Sequence, residues 1–380
     1  DYLVMDYLAE VTMSILQKQK LKNPDFGYAR DIPPLMEKLL PVMKEKKFKI
    51  ITNGGGVNPI ACKDAILEIA KKLGISDLKI GVVLGDNILT KIDNYIDNGI
   101  ELKNMETGEG AQVIKEKLLS ANVYFGAEPV VNCLREGADI VITGRVTDTG
   151  LTLAPMIYEF GWDMKNYDLM SAGTIAGHIL ECGGQASGGN FLGDWKKIKD
   201  MWNIGFPIAE AFPNGEFIIT KHDGTGGLVS VDTVSEQLVY EIGDPSEYIT
   251  PDCIADFTSI QLENLSENRV RVFGIKGKPE TEFYKVSMSY SDGYSAFGSL
   301  TYSWPEALEK AKAADEILRK RLENLGLNFD EIRTEYQGYN ACHGNIANEI
   351  KEPNEVVMRI GVRSKDRKSV ERFGMEIAPL

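Results

Sequence analysis

His178, Glu181 and Cys182 stand three and four positions apart, so a helix carries all three on one face. Such a face offers an imidazole oriented by a carboxylate for proton transfer, or a thiol activated by a nearby histidine. A packed helix with a satisfied polar pair uses the same residues. The run that follows, Gly183-Gly184-Gln185-Ala186-Ser187-Gly188-Gly189-Asn190, has the glycine density of a loop whose backbone comes close to something. Upstream, Gly144-Arg145-Val146-Thr147-Asp148 ends an apolar run. Arg145 in such a turn can clamp a carboxylate or phosphate bidentately, or pair with Asp148 or Asp139. Asp148 serves either as a helix N-cap or as an acid–base group. His178, Glu181 and Asp148 are therefore the candidate catalytic residues.

Two further glycine turns suit an anion. Asn53-Gly54-Gly55-Gly56 follows an apolar run and precedes a helical pattern with Asn58 as N-cap and Pro59 in its first turn. Lys221-His222-Asp223-Gly224-Thr225-Gly226-Gly227 likewise precedes a predicted helix that runs to Tyr240, and adds two cationic donors. Backbone amides in such turns can approach a phosphate, a carboxylate or a thioester oxyanion; a tight turn needing positive φ has the same composition. Asn53, Gly54, Gly55, Asp86, Arg145, Lys221, Gly224, Thr225 and Gly226 are the candidate substrate- or anion-binding residues. Neither turn is a P-loop or a GxGxxG fingerprint, and neither HExxH nor GxSxG occurs. Five cysteines without a CxxC, beside three histidines, point to reduced thiols rather than zinc. No metal site and no resident cofactor are expected, although coenzyme A can enter as part of a substrate. His343 beside Cys342 is secondary, because adjacent residues of an extended segment face opposite ways.

The elements that must position these residues alternate. Strands are predicted at Tyr2 to Met5, Phe48 to Thr52, Leu78 to Leu84, Val123 to Phe125 and Asp139 to Thr143. Helices are predicted at Leu8 to Lys18, Pro34 to Lys46, from Asn58 to about Lys72, through Tyr95, at Glu128 to Glu136 and after Asp148. The fold class is α/β: a mostly parallel sheet with helices on both faces, followed by a closely packed α+β portion with antiparallel strands. The expected domains are 1–200 and 201–380. Asp6, Asn53, Asp86, Arg145 and Asp148 all follow predicted strands, so they share the carboxyl edge, where ligands bind in open parallel sheets.

A net charge of -14 with scattered acidic residues repels nucleic-acid backbones and anionic lipid. No stretch reaches the roughly 18 apolar residues of a spanning helix. A cytoplasmic protein is expected, with a small anionic substrate, no nucleic-acid or membrane partner, and self-association into a homo-oligomer or pairing with a small partner subunit.

Segments spread along the chain resemble a known family. They are Asp6 to Met13, Thr52-Asn53-Gly54-Gly55-Gly56-Val57-Asn58-Pro59, Gly137 to Asp148, Ala172-Gly173-Thr174-Ile175-Ala176-Gly177-His178 and Gly224-Thr225-Gly226-Gly227-Leu228-Val229. In order and over essentially the whole chain, they are similar to the acyclic terpene utilisation family, AtuA. The resemblance implies a place in the breakdown of acyclic terpenes or branched acids through coenzyme A thioesters. It implies no established catalytic residue. The family pattern also implies a further glycine-bearing strand and turn before residue 1 and more chain after Leu380. The expected function is an enzyme acting on an acyl-CoA or related small carboxylic acid by hydratase, lyase or thioester chemistry. The alternative is a noncatalytic or co-catalytic subunit that binds a partner chain or ligand.

Overall fold

Short, fully apolar strands such as Ile140-Val141-Ile142 suit a sheet covered on both sides. In the computed structural model, which describes residues 1–348 and 350–380, the elements before residue 150 alternate. They are β1 (Tyr2–Met5), α1 (Glu10–Lys22), α2 (Ile32–Lys46), β2 (Lys49–Thr52), α3 (Pro59–Lys72), β3 (Ile80–Val83), α4 (Ile92–Asp97), β4 (Leu118–Val123), α5 (Glu128–Arg135) and β5 (Ile140–Thr143). Four strands pair in parallel in the order β1-β2-β5-β3. Successive side chains leave a strand on opposite faces. Ile50, Ile140 and Ile142 accordingly pack with Met36, Leu40 and Ile66 of α2 and α3. Ile51, Val83 and Val141 pack on the other side with Val130, Val131 and Leu134 of α5. The α/β class with helices on both faces stands as the sequence indicates.

Two expectations about individual elements change. The strand predicted at Val123 to Phe125 does not extend the parallel sheet. β4 lies just before it and pairs antiparallel with Val286–Tyr290. Its buried polar residues Ser120 and Asn122 are bonded to Ser289 on the paired strand and to Asp86 beyond it. The Gly224 turn does not open a helix either. After α6 (Gly150–Phe160), α7 (Tyr167–Glu181), β6 (Pro207–Ala211) and β7 (Phe217–Lys221), α8 begins only at Val231 and ends at Leu238. Ser230 and Thr233 close a capping box there: the Ser230 hydroxyl accepts from Thr233 N, and the Thr233 hydroxyl accepts from Ser230 N.

β8 (Tyr248–Ile249), β9 (Ile254–Asp256), β10 (Gln261–Ser266), β11 (Arg269–Phe273), β12 (Lys276–Lys278) and β13 (Val286–Tyr290) complete the first of two compact units, Asp1–Tyr290. Its antiparallel sheets run β10-β11-β7-β6 and β12-β9-β8. Phe217, Ile219, Val270 and Val272 belong to the same apolar cluster as Ile51 and Val141. Position 200/201, where the sequence pattern changes, therefore falls inside one core, and the division comes after Tyr290. The second unit, Ser291–Leu380, is an antiparallel sheet of β14 (Tyr294–Ser303), β15 (Glu331–Gln337) and β16 (Glu355–Ser364) in the order β14-β16-β15. One face is covered by α9 (Ala307–Asn324) and α10 (Arg367–Ile377). Ala307, Ala311, Ala314 and Leu318 of α9 pack with Met358, Ile360 and Phe373.

Candidate functional site

The carboxyl edge of the parallel sheet gathers the residues that follow β1, β2 and β5. Asn53, fully buried after β2, donates from Nδ2 to Asp6 Oδ1 at 2.5 Å and accepts from Tyr7 N at 2.7 Å. The glycines of α7 bring a second element alongside. A Cβ on Gly173 would lie 2.4 Å from Leu153 Cδ1, and one on Gly177 would lie 2.6 Å from the Thr149 carbonyl. Bare glycines thus let α7 touch α6, which places the last turn of α7 beside Asp148. Oxygens of Asp6, Asp148 and Glu181 come within 4.8 Å of one another.

Arg145 is the cation within this corner, and it faces inward. It is 1% exposed. Its Nη1 donates to the Leu8 carbonyl, its Nη2 lies 3.2 Å from Asp148 Oδ1, and its guanidinium stacks 4.1 Å from the centre of the Tyr124 ring. The Tyr124 hydroxyl donates to Glu10 Oε1 at 2.6 Å, and Lys285 Nζ reaches the same oxygen at 3.2 Å. Burial alone would raise the Glu10 carboxyl, but Tyr124, a backbone hydrogen bond and Lys285 hold it down at about 2. Glu10 is thus fully compensated.

Asp148 is not compensated. Burial and the neighbouring Asp6 and Glu181 carboxylates outweigh Arg145 and push its carboxyl up to about 8. Its Oδ1 is out of water, yet 32% of the side chain remains accessible, against 11% for Glu181 and 1% for His178. Asp148 is therefore more open to a ligand than Glu181 or His178. It is not a cap, since Thr149 holds the N-cap position of α6.

His178 and Gln237 clasp α7 to α8 reciprocally. His178 Nε2 lies 3.0 Å from the Gln237 carbonyl, and Gln237 Nε2 donates to the His178 carbonyl at 3.0 Å. A carbonyl only accepts, so Nε2 carries a proton and Nδ1 is turned to Glu181 Oε1, 3.0 Å away. Nδ1 and an ionised carboxylate need one proton between them, on the ring or on the acid. Burial raises the Glu181 carboxyl, while the His178 contact counteracts this. Tyr248 and Phe257 wall the imidazole at ring-centre distances of 5.7 and 5.3 Å. Cys182 follows Glu181, and burial pushes its thiol up to about 11, so it is no activated nucleophile.

The glycine turns use their groups internally. A Cβ on Gly54 would meet Ile32 Cδ1 at 2.2 Å, and one on Gly55 would meet the Thr143 carbonyl at 2.6 Å. That turn is glycine-rich because it is packed tightly between α2 and β5. Lys221 Nζ donates to the Thr225 carbonyl at 2.8 Å, and the Thr225 hydroxyl donates to the His222 carbonyl at 2.5 Å. Gly226 N donates to the Asn203 carbonyl, and a Cβ on Gly226 would sit 2.0 Å from the Asp200 carbonyl. Gly224 takes a positive φ of 73° in open space. The hydrogen bonds of Lys221, Thr225 and Gly226 close within the 203–226 segment, and none reaches the carboxylates. The loop after His178 packs on protein too: Gly183 lies against Phe206 and Gly184 against Ile204. Asp86 lies on the other side of Arg145, where its Oδ2 accepts from Arg145 N at 2.9 Å and Asn122 Nδ2 at 2.8 Å.

Asp6 is not among the candidate residues, although its position directly after β1 puts it at the sheet edge. Glu10, Tyr124 and Gln237 carry no local signal, because each acts only through a partner far along the chain. The three clustered oxygens are close enough to disfavour each other's ionisation, and hard oxygen ligands of this kind also suit a divalent cation. No helix among the described residues is long and apolar enough to cross a membrane.

Fold and site together define an α/β protein with an acidic, proton-holding corner at the carboxyl edge of a parallel sheet. The family model described as "Acyclic terpene utilisation family protein AtuA" matches residues 1–380, and the chain belongs to that family. No curated protein and no solved structure matches it.

Proposed function

We propose that the chain is an enzyme of acyclic terpene breakdown that adds water to, or removes it from, an unsaturated acyl thioester. The observation that carries this reading is the cluster of Asp6, Asp148 and Glu181 with one guanidinium beside it. Carboxylates so close cannot all ionise, so one acid is kept protonated at neutral pH. Asp148, more exposed than Glu181, gives its proton to the α-carbon. Glu181 takes a proton from the attacking water, the proton of the His178–Glu181 pair then resting on the ring, while the water oxygen bonds to the β-carbon. The elements of water are conserved, and the reverse order gives dehydration. His178 does not touch the substrate in this scheme; it positions Glu181. A free substrate carboxylate is repelled by this corner, which favours a neutral thioester carbonyl next to it.

The test is hydration of acyclic enoyl thioesters, followed by loss of the conjugated absorbance. Asp148→Asn is expected to reduce turnover by about two to four orders of magnitude. Undiminished turnover in the folded variant removes Asp148 as the acid. A wild-type protein that turns over none of these thioesters and copurifies with a companion chain supports a noncatalytic subunit instead.

A further inference from the structure

A second cleft lies on the Asp86 side of Arg145, a cavity of about 200 Å³. One wall comes from α1 and the start of α3, with Lys20, Asn58 and Ile60; the other comes from the turn after β3 and from β4, with Asp86, Asn87 and Asn122. The turn is hooked to β4 by a bridge between Asn87 and Asn122 and by a bond from Val123 N to the Asp86 carbonyl.

Asp86 and Asn122 are 5% and 1% exposed, yet each keeps an acceptor without a donor among the described residues. Asp86 uses Oδ2 for both Asn122 Nδ2 and Arg145 N. The carboxylate fixes the orientation of the amide, because two acceptors cannot pair; Asn122 Oδ1 therefore points elsewhere. Asp86 Oδ1 and Asn122 Oδ1 belong to side chains that line the cavity, and nearly buried acceptors call for donors. The opposite wall has the reverse need. Lys20 Nζ donates one of its three protons to the Val57 carbonyl at 2.7 Å. Ile60 N, in the first turn of α3, has no acceptor within its helix.

We propose that this cavity binds a ribose phosphate group. The sugar hydroxyls donate to Asp86 Oδ1 and Asn122 Oδ1, and the phosphate takes Lys20 and the first-turn amide of α3. A bare anion meets the Asp86 carboxylate, a bare cation meets Lys20, and a neutral polyol leaves the ammonium and the amide unused. A group with hydroxyl donors at one end and an anion at the other answers both walls. That chemistry occurs in free nucleotides and in the nucleotide end of coenzyme A. The inference goes beyond the hydration reading and is read as binding, so its failure leaves the Asp148 test intact.

Titration calorimetry of the full chain with ribose 5-phosphate, AMP and coenzyme A, against inorganic phosphate and ribose alone, tests it. The sugar phosphates are expected to bind at least about tenfold more tightly than either control, and Lys20→Met to weaken them by about tenfold or more. Hydrogen exchange provides a second readout that needs no variant: AMP or coenzyme A should slow the amides of residues 56–61 and 84–88. Tighter binding of coenzyme A than of AMP identifies the cavity as the handle for a thioester, and the converse identifies a nucleotide site. The proposal is overturned by absence of binding and of protection at millimolar ligand, by phosphate alone binding as tightly, or by unchanged affinity in Lys20→Met.

Discussion

The corner around Asp148 and the turn at Gly224 look alike in sequence, each having a histidine, charged residues and several glycines, but their polar groups meet different fates. In the turn, Lys221, Thr225 and Gly226 are satisfied by carbonyls of neighbouring residues. In the corner, three carboxylates face one inward-turned guanidinium, and Asp148 is left protonated. Glycine density records where backbone must pass close to protein. Capacity for chemistry follows from charge that the surroundings do not neutralise.

Glu181 is the most sensitive point of the corner. Glu181→Gln should lower turnover of the wild-type thioester substrate by about two to three orders of magnitude. His178→Ala should lower kcat by about ten- to a hundredfold, as loss of a positioning partner does. An equal or larger loss in the histidine variant would put His178 in contact with substrate and reverse their roles.

The raised Asp148 carboxyl makes both stability and turnover depend on pH. Asp148 titrates near 4 in an unfolded chain and at about 8 in the folded one. Between those values the folded state holds a proton that the unfolded state lacks, so this group's contribution to stability falls as pH rises from about 4 to about 8 and is flat above. Denaturant unfolding across that range should show the decline in wild type and a shallower one in Asp148→Asn. Turnover should fall as pH rises through about 8, where the acid loses its proton.

The turn should respond in stability alone. Gly226→Ala forces a Cβ to 2.0 Å from a backbone carbonyl that cannot swing away, and should cost about 1–3 kcal/mol in an unfolding titration, with turnover per folded molecule unchanged. Lys221→Met should be milder still, about 1 kcal/mol for the lost hydrogen bonds. A drop in turnover with either variant, at unchanged stability, would return the Gly224 turn to the site.

Much of the fold is legible residue by residue. The apolar runs at Ile50-Ile51 and Ile140-Val141-Ile142 announce buried strands, and the stripe Ala311, Ala314 and Leu318 announces the covering face of α9. β4 is not legible in the same way. Whether a short run with Ser120 and Asn122 joins the parallel sheet depends on Asp86 and Ser289, which lie far away in sequence. The start of α8 is legible in hindsight, since Ser230 and Thr233 form the cap.

By itself, the sequence determined the local spacings: His178 three residues before Glu181, and Asp6, Asn53, Asp86, Arg145 and Asp148 each just past a strand. Backbone geometry along one element sets such spacings, and the structure keeps the first as a 3.0 Å contact. Only the tertiary structure decided that Arg145 turns inward onto Tyr124, that Gln237 orients His178, and that burial and neighbouring carboxylates outweigh the counter-charge at Asp148 but not at Glu10. Protonation depends on burial and on charges a few ångströms away, and those neighbours come from residues that only folding brings together.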